Sequence, residues 1–282
     1  MTEFSVLQLS DTHLSDRFGY YASNNGKSAL AAAGQNCDYI VHTGDITLDG
    51  IRHPKDFEDS SKFFKIIDRP VLCLPGNHDI GDNAKFAKAA DENGSALNAE
   101  RLRRHEDYFG STWWSFDHGS WRVIGVNAMI IGSNLLQEQE QYEWISSQME
   151  TLDGRFIALF SHLPIFVDTP EDGLTLNYWS IDPVGHTRMS TLINHPNLRL
   201  VGSGHLHQQR SRKYRQINLE WCPSTAFTTG PSLVPEMGGS RQVGYLVHRF
   251  RKNGEVETAM IVPEGLVNHH LEDVVAEVYP GL

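Results

Sequence analysis

At 282 residues the chain is long enough to bury a sizeable core, as one large α/β domain or two smaller ones. Hydrophobic residues at 40% and charged residues at 21% form an ordinary globular balance, which excludes disorder as the default. The formal net charge of −11 repels phosphate backbones and disfavours nucleic acid as a partner, although bound divalent metals would make the field at a site positive whatever the global sign.

The opening MTEFSVLQLSDTHLS has no basic stretch leading into a long apolar core, so no signal peptide is expected, and no apolar run approaches the ~18 residues that cross a bilayer. Residues 4–10 (FSVLQLS) read as a strand that stops at Asp11-Thr12-His13. Residues 27–36 are Ala-rich and helix-like, with Gly34 as the stop, and residues 39–42 (YIVH) form a strand ending at Thr43-Gly44-Asp45. Residues 54–67 place Phe57, Phe64 and Ile67 among charges, as an amphipathic helix does; residues 71–74 are a strand that ends in Gly76-Asn77-His78-Asp79. This alternation argues for βαβ units and a mostly parallel sheet, with ligands beyond the carboxyl ends of the strands.

Residues 85–109 are polar and helix-prone with a glycine interruption, a cap over the sheet edge; residues 113–117 and 121–127 form a hairpin through His118-Gly119-Ser120. Residues 137–152 predict a helix with Tyr142, Ile145 and Met149 on one face and Glu and Gln on the other. Residues 156–160 (FIALF) are a buried strand followed by Ser161-His162, and residues 167–183 are irregular. A short helix over 187–194 precedes a strand at 198–201 that runs into Gly204-His205-Leu206-His207. Strands at 217–222 and 245–250 complete the set, and the last ~20 residues read as a polar tail with a weak helical pattern. Cys37, Cys73 and Cys222 are odd in number and contain no C-x-x-C pair, so they read as reduced core thiols of a cytoplasmic protein.

Each strand-end cluster is weak alone: Asp-x-His is common by chance, and Gly-Asn-His-Asp is first a turn. Together Asp11, His13, Asp45, Asn77, His162, His205 and His207 make a mixed oxygen and nitrogen donor set without thiolate, suited to Zn²⁺, Mn²⁺ or Fe. Seven donors are too many for one ion that must also hold water, and they suit two ions if one carboxylate is shared. Two metals ~3.5–4 Å apart clamp the attacking and leaving oxygens of an in-line displacement at phosphorus. Gly44, Gly76 and Gly204 would let the backbone turn sharply beside these residues.

In this order the blocks resemble the calcineurin-like metallophosphoesterase superfamily, and within it the chain is similar to bacterial class III cyclic-nucleotide phosphodiesterases and glycerophosphodiesterases. The motifs span residues 11–207 with no block missing. The resemblance implies a four-layer α/β sandwich of two mixed β-sheets flanked by helices, with the metal site at the C-terminal ends of strands. It implies Asp11, His13 and His207 on one metal, Asn77, His162 and His205 on the other, and Asp45 bridging. His78 would stabilise the phosphoryl charge or protonate the leaving oxygen, with Asp79 orienting its ring, and hydroxide held by the metals (Fe, Mn or Zn) would be the nucleophile. Residues 1–264 would be the catalytic domain and 265–282 a C-terminal tail.

The expected activity is hydrolysis of a small phosphodiester, of cyclic-nucleotide or glycerophosphodiester type. A phosphomonoesterase on the same core and a non-catalytic scaffold are the rivals, and a nuclease is disfavoured by the charge. No membrane partner is expected; a homodimer through residues 163–190 or the C-terminal segment is left open by family habit. Of the remaining candidates, His42 reads as a packed histidine, and His53, His105, His118, His195, His248, His269 and His270 as solvated ones. His186 also reads as structural, Asp16 lies near enough to the first motif to reach substrate, and Tyr178 and Trp179 either stack on a base or pack in the core.

Overall fold

The computed structural model describes residues 2–17, 22–83, 85–87, 94–273 and 275–279. Strand β1 (Thr2–Leu9) is buried from Phe4 onward, on both faces, as its nearly unbroken apolar run requires of a central strand. Helix α1 (Ala22–Gly34), strand β2 (Tyr39–His42), helix α2 (Lys55–Ile67), strand β3 (Leu72–Cys73) and the single turn α3 (Asn77–Ile80) follow. Helix α4 (Ala99–Phe109) leads into the hairpin β4 (Trp114–His118) and β5 (Trp121–Val126), then α5 (Leu136–Glu150) and β6 (Phe156–Ser161). The short helices α6 (Pro183–Arg188) and α7 (Ser190–Ile193) precede β7 (Leu198–Ser203), β8 (Arg210–Tyr214), β9 (Ile217–Trp221), β10 (Tyr245–Arg251), β11 (Val256–Ile261) and α8 (Val275–Val278).

The strands form two mixed sheets, one in the order β11-β10-β1-β2-β3 and one in the order β4-β5-β6-β7-β9-β8. β1, β2 and β3 run parallel, as do β5, β6, β7 and β9, while β10 is antiparallel to β1 and β11, β4 to β5 and β8 to β9. Phe4, Val6, Val41 and Leu74 of the first sheet meet Val123, Ala158, Phe160 and Leu200 of the second in a common apolar layer. Ala29, Ala32, Phe63 and Ile67 of α1 and α2 cover the outside of the first sheet, and Tyr142, Ile145, Leu192 and Ile193 of α5 and α7 cover the second. Helix, sheet, sheet, helix: the four-layer expectation holds. Among the described residues no helix is long and apolar enough to cross a membrane.

Several expectations shift, each for a physical reason. α1 begins at Ala22, earlier than the Ala-rich run, because Asn24 and Asn25 are buried and spend their amides on the carbonyls of Ala226, Val267 and Thr12. In α5 the polar face is solvated at Gln139, Glu140 and Glu143, but two of its residues are buried: Gln141 exchanges two hydrogen bonds with the backbone of Asn127, and Glu138 accepts from the amides of Gly132 and Asn134. Among the described residues of 85–109 only Ala99–Phe109 is helical, capped by the Asn98 side chain; residues 88–93 lie outside the described residues. The edge strands β8 and β11 do not read as strands because a lone charged or weakly alternating run at a sheet edge lacks the buried face that marks one. His105 and His248 are buried, not solvated. His248 bonds Gln8 and Thr258, and His105 packs on Phe109 with burial holding it down at about 3, so it stays neutral. The three cysteines are free and buried, as expected.

Glu220 on β9 is 3% exposed and takes a hydrogen bond from the Ser211 hydroxyl at 2.9 Å. Burial pushes its carboxyl from 4.5 up to about 7. Between those two values the folded chain holds a proton that the unfolded chain has released, so stability falls as pH rises through that window and levels off above it. Glu220→Gln is therefore expected to gain on the wild type as pH rises from 4.5 to 8, by up to about 3 kcal/mol. Urea unfolding of both chains across that range checks it; a pH-independent difference would contradict it.

Candidate metal centre

All five polar clusters leave the carboxyl ends of parallel strands: β1, β2 and β3 in one sheet, β6 and β7 in the other. The loops keep pairing after the strands stop. Asp11 N–H donates to Gly44 O at 2.9 Å, His13 N–H to Asp45 O at 3.0 Å, and Gly204 N–H to His162 O at 2.9 Å. Five residues of the clusters sit in the left-handed region, with φ of 52° at Asp11, 44° at His13, 53° at Asp45, 71° at His205 and 52° at His207. Asp and His tolerate that region better than β-branched residues do, and there it turns consecutive side chains toward one point.

Asp11, His13, Asp45 and His207 each present one donor atom within 4.8 Å of the others, and so do Asp45, His162 and His205. Asp45 belongs to both groups: its Oδ2 lies 3.8 Å from His13 Nε2 and 3.4 Å from His162 Nε2. Asn77 Oδ1 joins the second group, 3.3 Å from His162 Nε2. All seven side chains are buried. The far ring nitrogen of three of the histidines is fixed by a main-chain carbonyl: His162 Nδ1 by Thr43 O at 2.8 Å, His205 Nε2 by Tyr178 O at 3.2 Å, and His207 Nδ1 by Phe227 O at 2.9 Å. A carbonyl only accepts, so the bonded nitrogen carries hydrogen and the other keeps its lone pair, as metal-ligating imidazoles require. His13 Nε2 and His207 Nε2 converge at 3.0 Å. Two buried, convergent groups of oxygen and imidazole donors sharing one carboxylate fit a pair of borderline first-row ions.

The electrostatics agree. Burial pushes His13 well below its ordinary value and His205 down to about 3, so both rings are neutral and able to ligate. Burial opposes ionisation of Asp45, but His162 and His78 outweigh it and hold the carboxyl well below the usual range. Burial likewise opposes charge on His162, and the Asp45 carboxylate holds it up at about 9. Binding a cation there displaces that proton.

His78 stands apart. It is the one half-exposed residue of the motifs, and its Nδ1 donates to Leu48 O at 2.8 Å, which leaves Nε2 available. Asp79 does not orient this ring, contrary to expectation. Its carboxylate accepts instead from the amides of Gly76, Ile46 and Thr47 and from the Thr47 hydroxyl, at 2.8 to 3.1 Å, tying the Asp45 loop to α3. Burial and the neighbouring Asp45 push Asp79 up to about 6. Of the three glycines, Gly44 supplies a left-handed turn, at φ 98°. Gly76 is extended, and what matters is its missing Cβ, which would sit 2.1 Å from Asp45 Oδ1.

Tyr178 resolves toward the site: its hydroxyl accepts from Asn77 Nδ2 and donates to Asp82, both at 3.3 Å, and its ring packs on His205. Beside His205 lies a small, partly enclosed cavity lined by Asp82, Phe86, Met129, Leu163 and Tyr178. Trp179 packs mainly with Leu206 and Trp221. Asp16 pairs with Lys62 in solvent, His186 bonds Ile165 O at 2.6 Å, and His42 bonds the Thr12 hydroxyl at 3.1 Å. One support went unread: the Ser224 hydroxyl donates to Asp11 O at 2.6 Å. Its signal was present, since Pro223-Ser224-Thr225 also follows a strand end.

Sheet order, carboxyl-end placement and paired ligand groups define a metal-dependent phosphoesterase. Residues 4–209 match the calcineurin-like phosphoesterase family, and the chain belongs to it. It is 24% identical over 296 residues to the 3′,5′-cyclic adenosine monophosphate phosphodiesterase CpdA of Pseudomonas aeruginosa, covering 98% of this chain and 94% of that protein. It is 25% identical over 235 residues to the probable glycerophosphodiester phosphodiesterase GpdQ of Arcobacter nitrofigilis, covering 75% of each. A dimetal phosphatase from Danio rerio shares the fold with a TM-score of 0.59 at 12% identity, over 94% of this chain and all of that one.

Proposed function

We propose that the chain hydrolyses small phosphodiesters of cyclic-nucleotide or glycerophosphodiester type, with Asp11, His13 and His207 holding one metal ion, Asn77, His162 and His205 a second, and Asp45 shared between them. The observation that carries this is the single Asp45 oxygen facing a histidine of each group, at 3.8 and 3.4 Å. Bound in this way, two Fe, Mn or Zn ions supply Lewis acidity at phosphorus and a nucleophile from water at neutral pH. The protein's own contribution is position. The fixed imidazoles hold the ions, and the half-exposed His78, anchored by Leu48, meets the substrate from the solvent side and donates a proton to the leaving oxygen. Both curated relatives named above are phosphodiesterases, which supports diester over monoester cleavage. Three free, buried cysteines support a reducing, cytoplasmic setting.

A panel of cyclic nucleotides, glycerophosphodiesters and dinucleotides, assayed with defined metals, identifies the substrate class. Activity is expected to disappear on chelation and return with Mn²⁺, Zn²⁺ or Fe²⁺, and bis-(p-nitrophenyl) phosphate is expected to react faster than p-nitrophenyl phosphate. Chelator-insensitive turnover, or a preference for the monoester, would overturn the reading.

A further inference from the structure

The imidazoles of His78, His162, His205 and His207 meet main-chain carbonyls, whereas His13 Nδ1 meets a side chain: the phenol oxygen of Tyr279, at 3.3 Å. Tyr279 comes from a stretch that reads in sequence as a polar tail, and its ring also lies against His78, centroids 5.2 Å apart. Its placement is built. Tyr279 N–H donates to Val275 O at 2.8 Å, continuing α8. Leu271 and Val278 are buried with Leu48, Ala226 and Phe227. Leu271 and Thr228 are tied by backbone hydrogen bonds, with Leu271 N–H on Thr228 O at 3.0 Å and Thr228 N–H on His269 O at 2.8 Å.

Leu48 and Phe227 are the residues whose carbonyls orient His78 and His207. The segment therefore packs against two of these supports and touches His13 directly. Among the described residues, the supports of the other cluster, Thr43 and Tyr178, lie outside this apolar group.

We propose that Tyr279 is a positioning residue for one of the two ions, the one held by Asp11, His13 and His207, and that the segment bearing it is a working part of the site. Its phenol oxygen takes the Nδ1 hydrogen of His13, so that Nε2 keeps its lone pair and its direction, while the ring limits the rotation of His78. This rests on the two-ion reading above.

The test is a Mn²⁺ titration of the full chain, metal-free at the start, followed by bound-ion stoichiometry and by the Mn²⁺ electron paramagnetic resonance signal. It is applied to the wild type, Tyr279→Phe and Tyr279→Ala, each confirmed as folded by its thermal melt. The wild type is expected to take two ions. Both variants are expected to bind one ion as the wild type does and the other about 10- to 100-fold more weakly, the loss typical when a partner behind a ligating histidine is removed. A purely structural role would lower the melting temperature of the metal-free variants and leave both affinities alone, and that result overturns the proposal, as does an equal weakening of both ions. If either variant does not fold, the other decides. Fewer than two ions on the wild type would sink the two-ion reading and this inference together; two ions on the wild type with unchanged variants would sink this inference only.

Discussion

Asp45→Asn is expected to strip metal from the whole site and not from half of it. The substitution keeps the shape of the side chain and removes the one charge that both clusters share; with Oδ1 still accepting from the His78 N–H, a hydrogen-bearing nitrogen replaces the Oδ2 that faces both His13 and His162. Bound metal at a saturating concentration for the wild type should drop below one ion per chain. Hydrolysis should fall by about 10³-fold or more, since the Lewis acidity lost is worth several kcal/mol. Asp45→Asn protein that holds two ions and turns over within tenfold of the wild type would show that Asp45 is not shared. The adjacent structure should survive, because the loop is also held by the Asp79 carboxylate on the amides of Ile46 and Thr47.

His78→Ala should produce the opposite pairing of effects: full metal content and a slow enzyme. His78 is outside both donor groups, so its removal takes no donor atom from either. The loss expected for a general acid is about 10²- to 10⁴-fold in kcat. The size of the loss should depend on the leaving group. An alkoxide such as ribose or glycerol needs a proton as it departs, whereas p-nitrophenolate does not, so His78→Ala should damage natural diesters far more than bis-(p-nitrophenyl) phosphate. An equal loss on both would mean that His78 stabilises phosphoryl charge and protonates nothing. Loss of metal would mean that it is a ligand.

The site was legible because its donors follow strands. An apolar run that ends in Asp-x-His or Gly-Asn-His-Asp states two things at once: a buried strand, and polar groups at its mouth. Five such endings in one chain converge only if the strands deliver them to one edge, and the sheet order does so with β1, β2 and β3 parallel in one sheet and β6 and β7 parallel in the other. What could not be read is everything behind the donors. The carbonyls of Thr43, Leu48, Tyr178 and Phe227 orient four imidazoles, yet every residue type carries a carbonyl, so no letter marks the role. Asp79 shows the converse error. Adjacency to His78 suggested a partnership, but one turn of helix points the carboxylate back at Gly76 and the Asp45 loop. In the fold, the buried central strands and the edge strands β3 and β4 announced themselves, the edge strands β8 and β11 did not, and Tyr279 lies 266 positions from the histidine it touches.

The left-handed backbone at Asp11, His13, Asp45, His205 and His207 has a consequence for how this site persists. At ~1 kcal/mol or more for each such residue, the strain in the five is a sizeable fraction of the ~5–15 kcal/mol that keeps a domain folded. Glycine would relieve much of it at any of these positions, and would abolish a donor. Variants chosen for stability alone would therefore gain from losing these side chains, at the expense of the proposed metal site. Under the proposed function, this backbone cost falls on the same residues that would hold the two ions.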